Sequence, residues 1–82
     1  MGYWRNMNMT VRKAFTKNFK RLLVEKGYSM KGFSAESGFD YSAIWAWSHG
    51  RRYPNLETAF RIAKTLKVSI DDLVEGAVDD QD

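Results

Sequence analysis

The stretch that decides the fold is SMKGFSAESGFDYSAIWAWSHG, Ser29 to Gly50. It holds two short segments of helical character separated by Gly38-Phe39-Asp40. Ser29 is placed to cap the first segment, Met30–Ser37, and Gly38 to end it. Its propensity is weak, since Gly32 alone costs about 1 kcal/mol relative to Ala. Only Phe33 within it points clearly inward. Asp40 suits the start of the second segment, Tyr41–Ser48: a carboxylate there accepts from free backbone N–H groups and faces the positive helix end. Ile44 and Trp47 lie three apart and share a face, whereas Trp45 and Trp47, two apart, do not. The core is therefore expected to claim Trp47 and leave Trp45. Gly50 can take the left-handed conformation that closes a helix.

The same punctuation continues on both sides. Upstream, Val11, Phe15, Phe19, Leu22 and Leu23 recur at helical spacing and form one apolar face. Thr10 is its cap and Gly27 its stop. The opposite face carries Arg12, Lys13, Lys17, Lys20 and Arg21 and reads as ordinary solvated surface. Downstream, Arg51-Arg52-Tyr53-Pro54 is a loop. Asn55 caps Leu56–Leu66, with Leu56, Ala59, Ile62, Ala63 and Leu66 inward. Ser69-Ile70-Asp71-Asp72 has capping-box spacing with Asp in place of Glu or Gln, and opens a fifth helix carrying Ile70 and Leu73. Five short helices without a strand signal predict an all-α domain, a compact five-helix bundle with short connections. Residues 1–9 read as a flexible N-terminal arm, 10–75 as the folded domain and 76–82 as an acidic disordered tail.

Composition narrows the function. The 82 residues make one small domain. There is no Cys and a single His, so neither a disulfide nor a thiolate metal site can form. No carboxylate pair sits in an apolar setting and no Gly-rich phosphate motif occurs, which leaves an enzyme nothing to assemble. No catalytic residue, cofactor, metal or small-molecule substrate is expected. No apolar run approaches the roughly 20 residues of a membrane span, and no signal-peptide pattern opens the chain; a cytoplasmic protein is expected. Charge is uneven. Residues 1–67 hold 13 Lys and Arg against four acids, a net of +9; residues 68–82 hold six acids and no base, a net of −6. A basic body with an acidic tail fits either a polyanionic partner for the body or a solvated surface with a solubilising tail.

Two short helices joined by a tight Gly-containing turn form the helix-turn-helix plan. At these residues the chain resembles the Cro/CI-type helix-turn-helix domain, the XRE family of bacterial and phage regulators. The resemblance runs from about Phe19 to Val74. It is carried by LLVEKGYSM, by GFDYSAI and, most specifically, by HGRRYPNLETAFRIAKTLKVSIDDL. It implies a lambda repressor-like domain whose second and third helices form the motif, with the third entering the major groove of double-stranded DNA. Members usually bind operators as homodimers and regulate transcription. Carried over residue by residue, Tyr41, Ser42, Trp45 and Ala46 are the candidates for base-edge contacts, and Ser29, Lys31, Arg51 and Arg52 those for phosphate contacts. The family's phosphate-binding Gln is replaced here by Met30, which has no donor; Ser29 and Lys31 can stand in for it. Lys67 stands where the family prefers a helix-closing Gly, so a left-handed Lys costing roughly 1 kcal/mol is expected.

The recognition segment has no Arg, Lys, Asn or Gln between Tyr41 and Ser48. The bidentate contacts that read G and A are therefore missing, and an A·T-leaning site is expected. Trp45 keeps three readings: a DNA contact, a ring lying over a neighbouring helix, or a protein interface. Arg51 and Arg52 bind phosphate or form a solvated turn. His49 is a helix-end residue or a reader. Phe60, Val68, Ile70 and Val74 are the apolar candidates for a dimer face. The leading function is a sequence-specific DNA-binding transcriptional regulator acting as a repressor. The alternative is a protein-interaction module, antitoxin-like or a regulatory partner, on the same fold.

Overall fold

The structure is a computed structural model and describes residues 9–78. Most of the expected arm and tail, residues 1–8 and 79–82, lies outside the described residues. Their inner ends meet: Met9 pairs with Ala77 in an isolated bridge, and the Val78 N–H donates to the Met9 carbonyl at 3.0 Å.

Five helices follow in order: α1 (Val11–Glu25), α2 (Met30–Ser37), α3 (Tyr41–Ser48), α4 (Leu56–Leu66) and α5 (Ile70–Leu73). Local caps explain most of the starts. Thr10 Oγ1 accepts from the Lys13 N–H at 3.1 Å, Ser29 Oγ from Gly32 at 2.9 Å, and Asn55 Oδ1 from Thr58 at 2.8 Å. Ser69 and Asp72 complete the reciprocal box, each side chain accepting from the other's backbone N–H. That same Ser69 N–H, then its hydroxyl, holds the Asp72 carboxyl below the usual carboxylate range. Asp40 differs from the expectation. It occupies the N-cap position of α3 with extended backbone, but its side chain makes no cap bond; only its carbonyl engages, accepting from Ala43 and Ile44 at 3.0 and 3.1 Å.

The core is aromatic. Phe19 on α1 stacks on Phe15 at 5.4 Å and meets the edges of Phe33 and Trp47 at 5.8 and 6.0 Å. Trp47 is 4% exposed and also packs edge-on against Phe39, at 5.1 Å. Phe39 therefore plugs the turn between α2 and α3 from inside. The serines of α2 hold that turn: Ser34 Oγ donates to the Phe39 carbonyl, and Ser37 Oγ to the Phe33 carbonyl, both at 2.6 Å. Ile44, Ile62, Ala63, Leu66 and Leu73 complete the cluster.

Two inward expectations fail at helix starts. Val11 is 56% exposed and Leu56 75% exposed. Each is the first residue of its helix, where the apolar stripe runs past the edge of the small core. Conversely, the polar Asn18 is buried: it lies on the apolar face of α1, between Val11 and Leu22, though not among the apolar residues expected to form that face. Its Nδ2 donates to the Leu73 carbonyl at 3.1 Å and the Glu75 carbonyl at 2.9 Å, tying the end of α5 to the middle of α1. Lys67 adopts the left-handed conformation, φ 62° and ψ 45°, as expected. Among the described residues no helix is long and apolar enough to cross a membrane.

Candidate nucleic-acid interface

At about 100° per residue, the exposed positions of α3 fall into one arc: Tyr41, Trp45, His49 just past its end, and Ser42. Ile44 and Trp47 face the other way and are buried; Ser48, at the edge of the arc, is buried beside Met30. The base-edge candidates Tyr41, Ser42 and Trp45 therefore share one outward stripe. Ala46 does not join them. It is 6% exposed, a correction to its expected outward position. The chain leaving α3 turns back there, and the Arg51 and Arg52 N–H groups donate to the Ala46 carbonyl at 2.9 and 3.4 Å.

Trp45 lies against its own helix end rather than across a neighbouring helix. Its ring stacks on His49 with centroids 4.0 Å apart and planes 17° from parallel, and the Arg51 guanidinium sits 6.0 Å from its centroid. His49 Nδ1 lies 2.9 Å from the Trp45 carbonyl and 3.0 Å from Ser48 Oγ. A carbonyl can only accept, so this contact assigns the ring proton to Nδ1. The stack fixes the indole while leaving it 39% exposed, an aromatic surface bordered by a guanidinium.

The phosphate candidates divide between two places. Ser29 and Lys31 are exposed at the start of α2, and Arg51 and Arg52 are exposed on the loop after α3. Met30 turns inward: it packs against the core cluster, and Ser48 Oγ lies 3.6 Å from its sulfur. The start of α2 and the loop after α3 both approach the end of the outward stripe, Met30 through Ser48 and Arg51 through Trp45.

The helix-turn-helix family model matches residues 19–73. The chain belongs to the XRE-type helix-turn-helix family. An HTH-type transcriptional regulator of Sinorhizobium fredii is 38% identical over 66 residues, which span 80% of this chain and 86% of that protein. An HTH-type transcriptional regulator of Methanocaldococcus jannaschii is 36% identical over 53 residues, 65% of this chain but 30% of that longer protein. No solved structure matches the chain.

The basic face of α1, expected from the sequence to be ordinary solvated surface, lies beside the loop that follows α3. Lys13, Lys17 and Lys20 of α1 line a shallow hollow of about 310 Å³ with Thr16, Gly50 and Tyr53. The Tyr53 hydroxyl donates to the Gly50 carbonyl at 3.0 Å, and the Arg12 guanidinium lies 5.0 Å from the Tyr53 ring centroid. The α1 face thus adjoins the Arg51-Arg52 loop, a proximity that helical periodicity alone cannot supply. Of the dimer-face candidates, Phe60 is exposed, whereas Val68, Ile70 and Val74 are half-buried against the core. Leu56, one turn before Phe60, is exposed instead. Among the described residues no group of three or more His, Cys, Asp or Glu converges to hold a metal.

Proposed function

We propose that this XRE-type protein is a repressor that binds an operator in double-stranded DNA as a homodimer, with α3 in the major groove. The observation that carries the reading is the division of α3. Ile44 and Trp47 anchor one side in the core, while Tyr41, Ser42 and Trp45 are exposed on the other. Tyr41 and Ser42 supply single hydrogen bonds, and the Trp45 indole an apolar contact suited to a thymine methyl. With Ala46 buried and no Arg, Lys, Asn or Gln in the helix, the half-site leans to A·T. Much of the affinity then comes from phosphate contacts at Ser29, Lys31, Arg51 and Arg52, and part of the selectivity from DNA shape.

Dimerisation supplies the reading length that one eight-residue helix lacks. Leu56 and Phe60 lie four apart on α4 and are both exposed, an apolar pair on one helix face that a two-fold contact would bury. The repressor mechanism is occlusion of a promoter.

Selection from a random duplex library tests the whole reading. The expected product is an A·T-leaning inverted repeat with half-sites about 10 base pairs apart, one turn of the duplex. Single unpaired half-sites would remove the dimer and keep the reader. Recovery of no motif at all would leave the stacked Trp45 as a protein-binding surface and favour the interaction-module alternative.

A further inference from the structure

The lysine face of α1 is a charged surface that the recognition site leaves unused. Lys13, Lys17 and Lys20 are spaced so that they share one side of the helix. All three are exposed. Among the described residues, the ion pairs join Arg21 to Glu25 and to Glu75, and these lysines take part in neither. Their position relative to the motif is fixed by packing. A Cβ added to Gly50 would lie 3.5 Å from Thr16 Oγ1 and 3.5 Å from the Tyr53 hydroxyl, so α1 abuts the loop at the point where it leaves α3.

Lys20 belongs to two hollows at once. One is shared with Lys13, Lys17, Gly50 and Tyr53. The other, about 250 Å³, brings it beside Met30 at the start of α2 and Ser48 and His49 at the end of α3. The lysine row therefore bridges the two ends of the helix-turn-helix. It runs beside Met30, which lies between Ser29 and Lys31 in the chain, and beside Gly50, which precedes Arg51.

We propose that Lys13, Lys17 and Lys20 form a phosphate-binding track that grips the DNA backbone beside the recognition site. The proposal rests on the DNA-binding function and extends it from α2, α3 and their loop to α1. The partner chemistry follows from the residues. Lysine ammonium groups are point charges suited to phosphate oxygens but carry no base code. The lysines should therefore contribute affinity and salt dependence, and no sequence preference.

The test titrates a labelled duplex bearing the selected site, and a scrambled duplex of equal length, with the full chain over a range of salt concentrations. Wild type is compared with Lys13→Gln/Lys17→Gln/Lys20→Gln and with Arg51→Gln/Arg52→Gln, each checked for an unchanged thermal melt. If the track exists, the lysine variant loses about tenfold in affinity near 0.1 M salt for each lysine engaged. Its log–log salt slope becomes shallower by about 0.9 for each phosphate that is no longer neutralised, and the ratio between the two duplexes is kept. If it matches wild type in affinity and slope while the arginine variant weakens, the track is overturned and the DNA reading stands. If wild type binds neither duplex, the DNA reading itself fails and the proposal falls with it.

Discussion

Trp45 and Trp47 are the same residue two positions apart on one helix, and they have opposite surroundings. Trp47 meets the edges of Phe19 and Phe39 and is almost wholly buried. Trp45 stacks on His49, borders Arg51 and keeps over a third of its surface in solvent. The inner face of α3 is thus held by hydrophobic burial, and the outer face by local contacts within the helix end. A buried anchoring face and an exposed face available for recognition are separated across a single eight-residue helix.

The largest effect that could break this comparison is at the inner ring. Trp47→Ala should lose about 3–5 kcal/mol, as aromatic truncations in packed cores do, read as a fall in the urea midpoint. A loss no greater than that of Trp45→Ala would erase the distinction. Next, Asn18→Leu removes the donor to the Leu73 and Glu75 carbonyls and should cost about 1–3 kcal/mol. Faster amide exchange at Val78 should accompany it, because the α5 end is what the bond holds. At the outer ring, Trp45→Ala should alter stability by less than about 1 kcal/mol, the scale of a missing aromatic stack, yet weaken binding to the selected duplex roughly tenfold, the lower end of a specific base contact. The smallest effect is at Lys67. Lys67→Gly relieves the left-handed backbone, should raise stability by at most about 1 kcal/mol, and should leave DNA affinity unchanged, since Lys67 is not among the candidate DNA contacts.

The fold was legible where a residue acts on its own neighbours. Ser29, Asn55 and Ser69 announce their helices because a cap is a contact three residues long. Lys67 announces a strained stop, once the family resemblance places a Gly there. Asp40 was legible as a boundary but not as a bond, since whether a carboxylate turns to its own helix or to water is settled by surroundings the sequence does not display. Longer-range features were hidden. The exposure of Val11 and Leu56 depends on where the small core ends, and the burial of Ala46 on a loop that folds back over it. Asn18 sits at a core slot of α1, seven residues after Val11 and four before Leu22; a polar residue there was the one available signal of a buried tie. The lysine face was visible as a pattern, but its proximity to Gly50 and Tyr53 is tertiary.

The central claim is that the outer stripe of α3 reads bases. The most direct measurement is the binding of wild type and Trp45→Ala to every single-base variant of the selected half-site. The account predicts that the substitution flattens discrimination at one or two adjacent A·T positions and leaves the others as they were. A uniform loss at all positions, or no change at any, would contradict it and return Trp45 to a role outside DNA recognition.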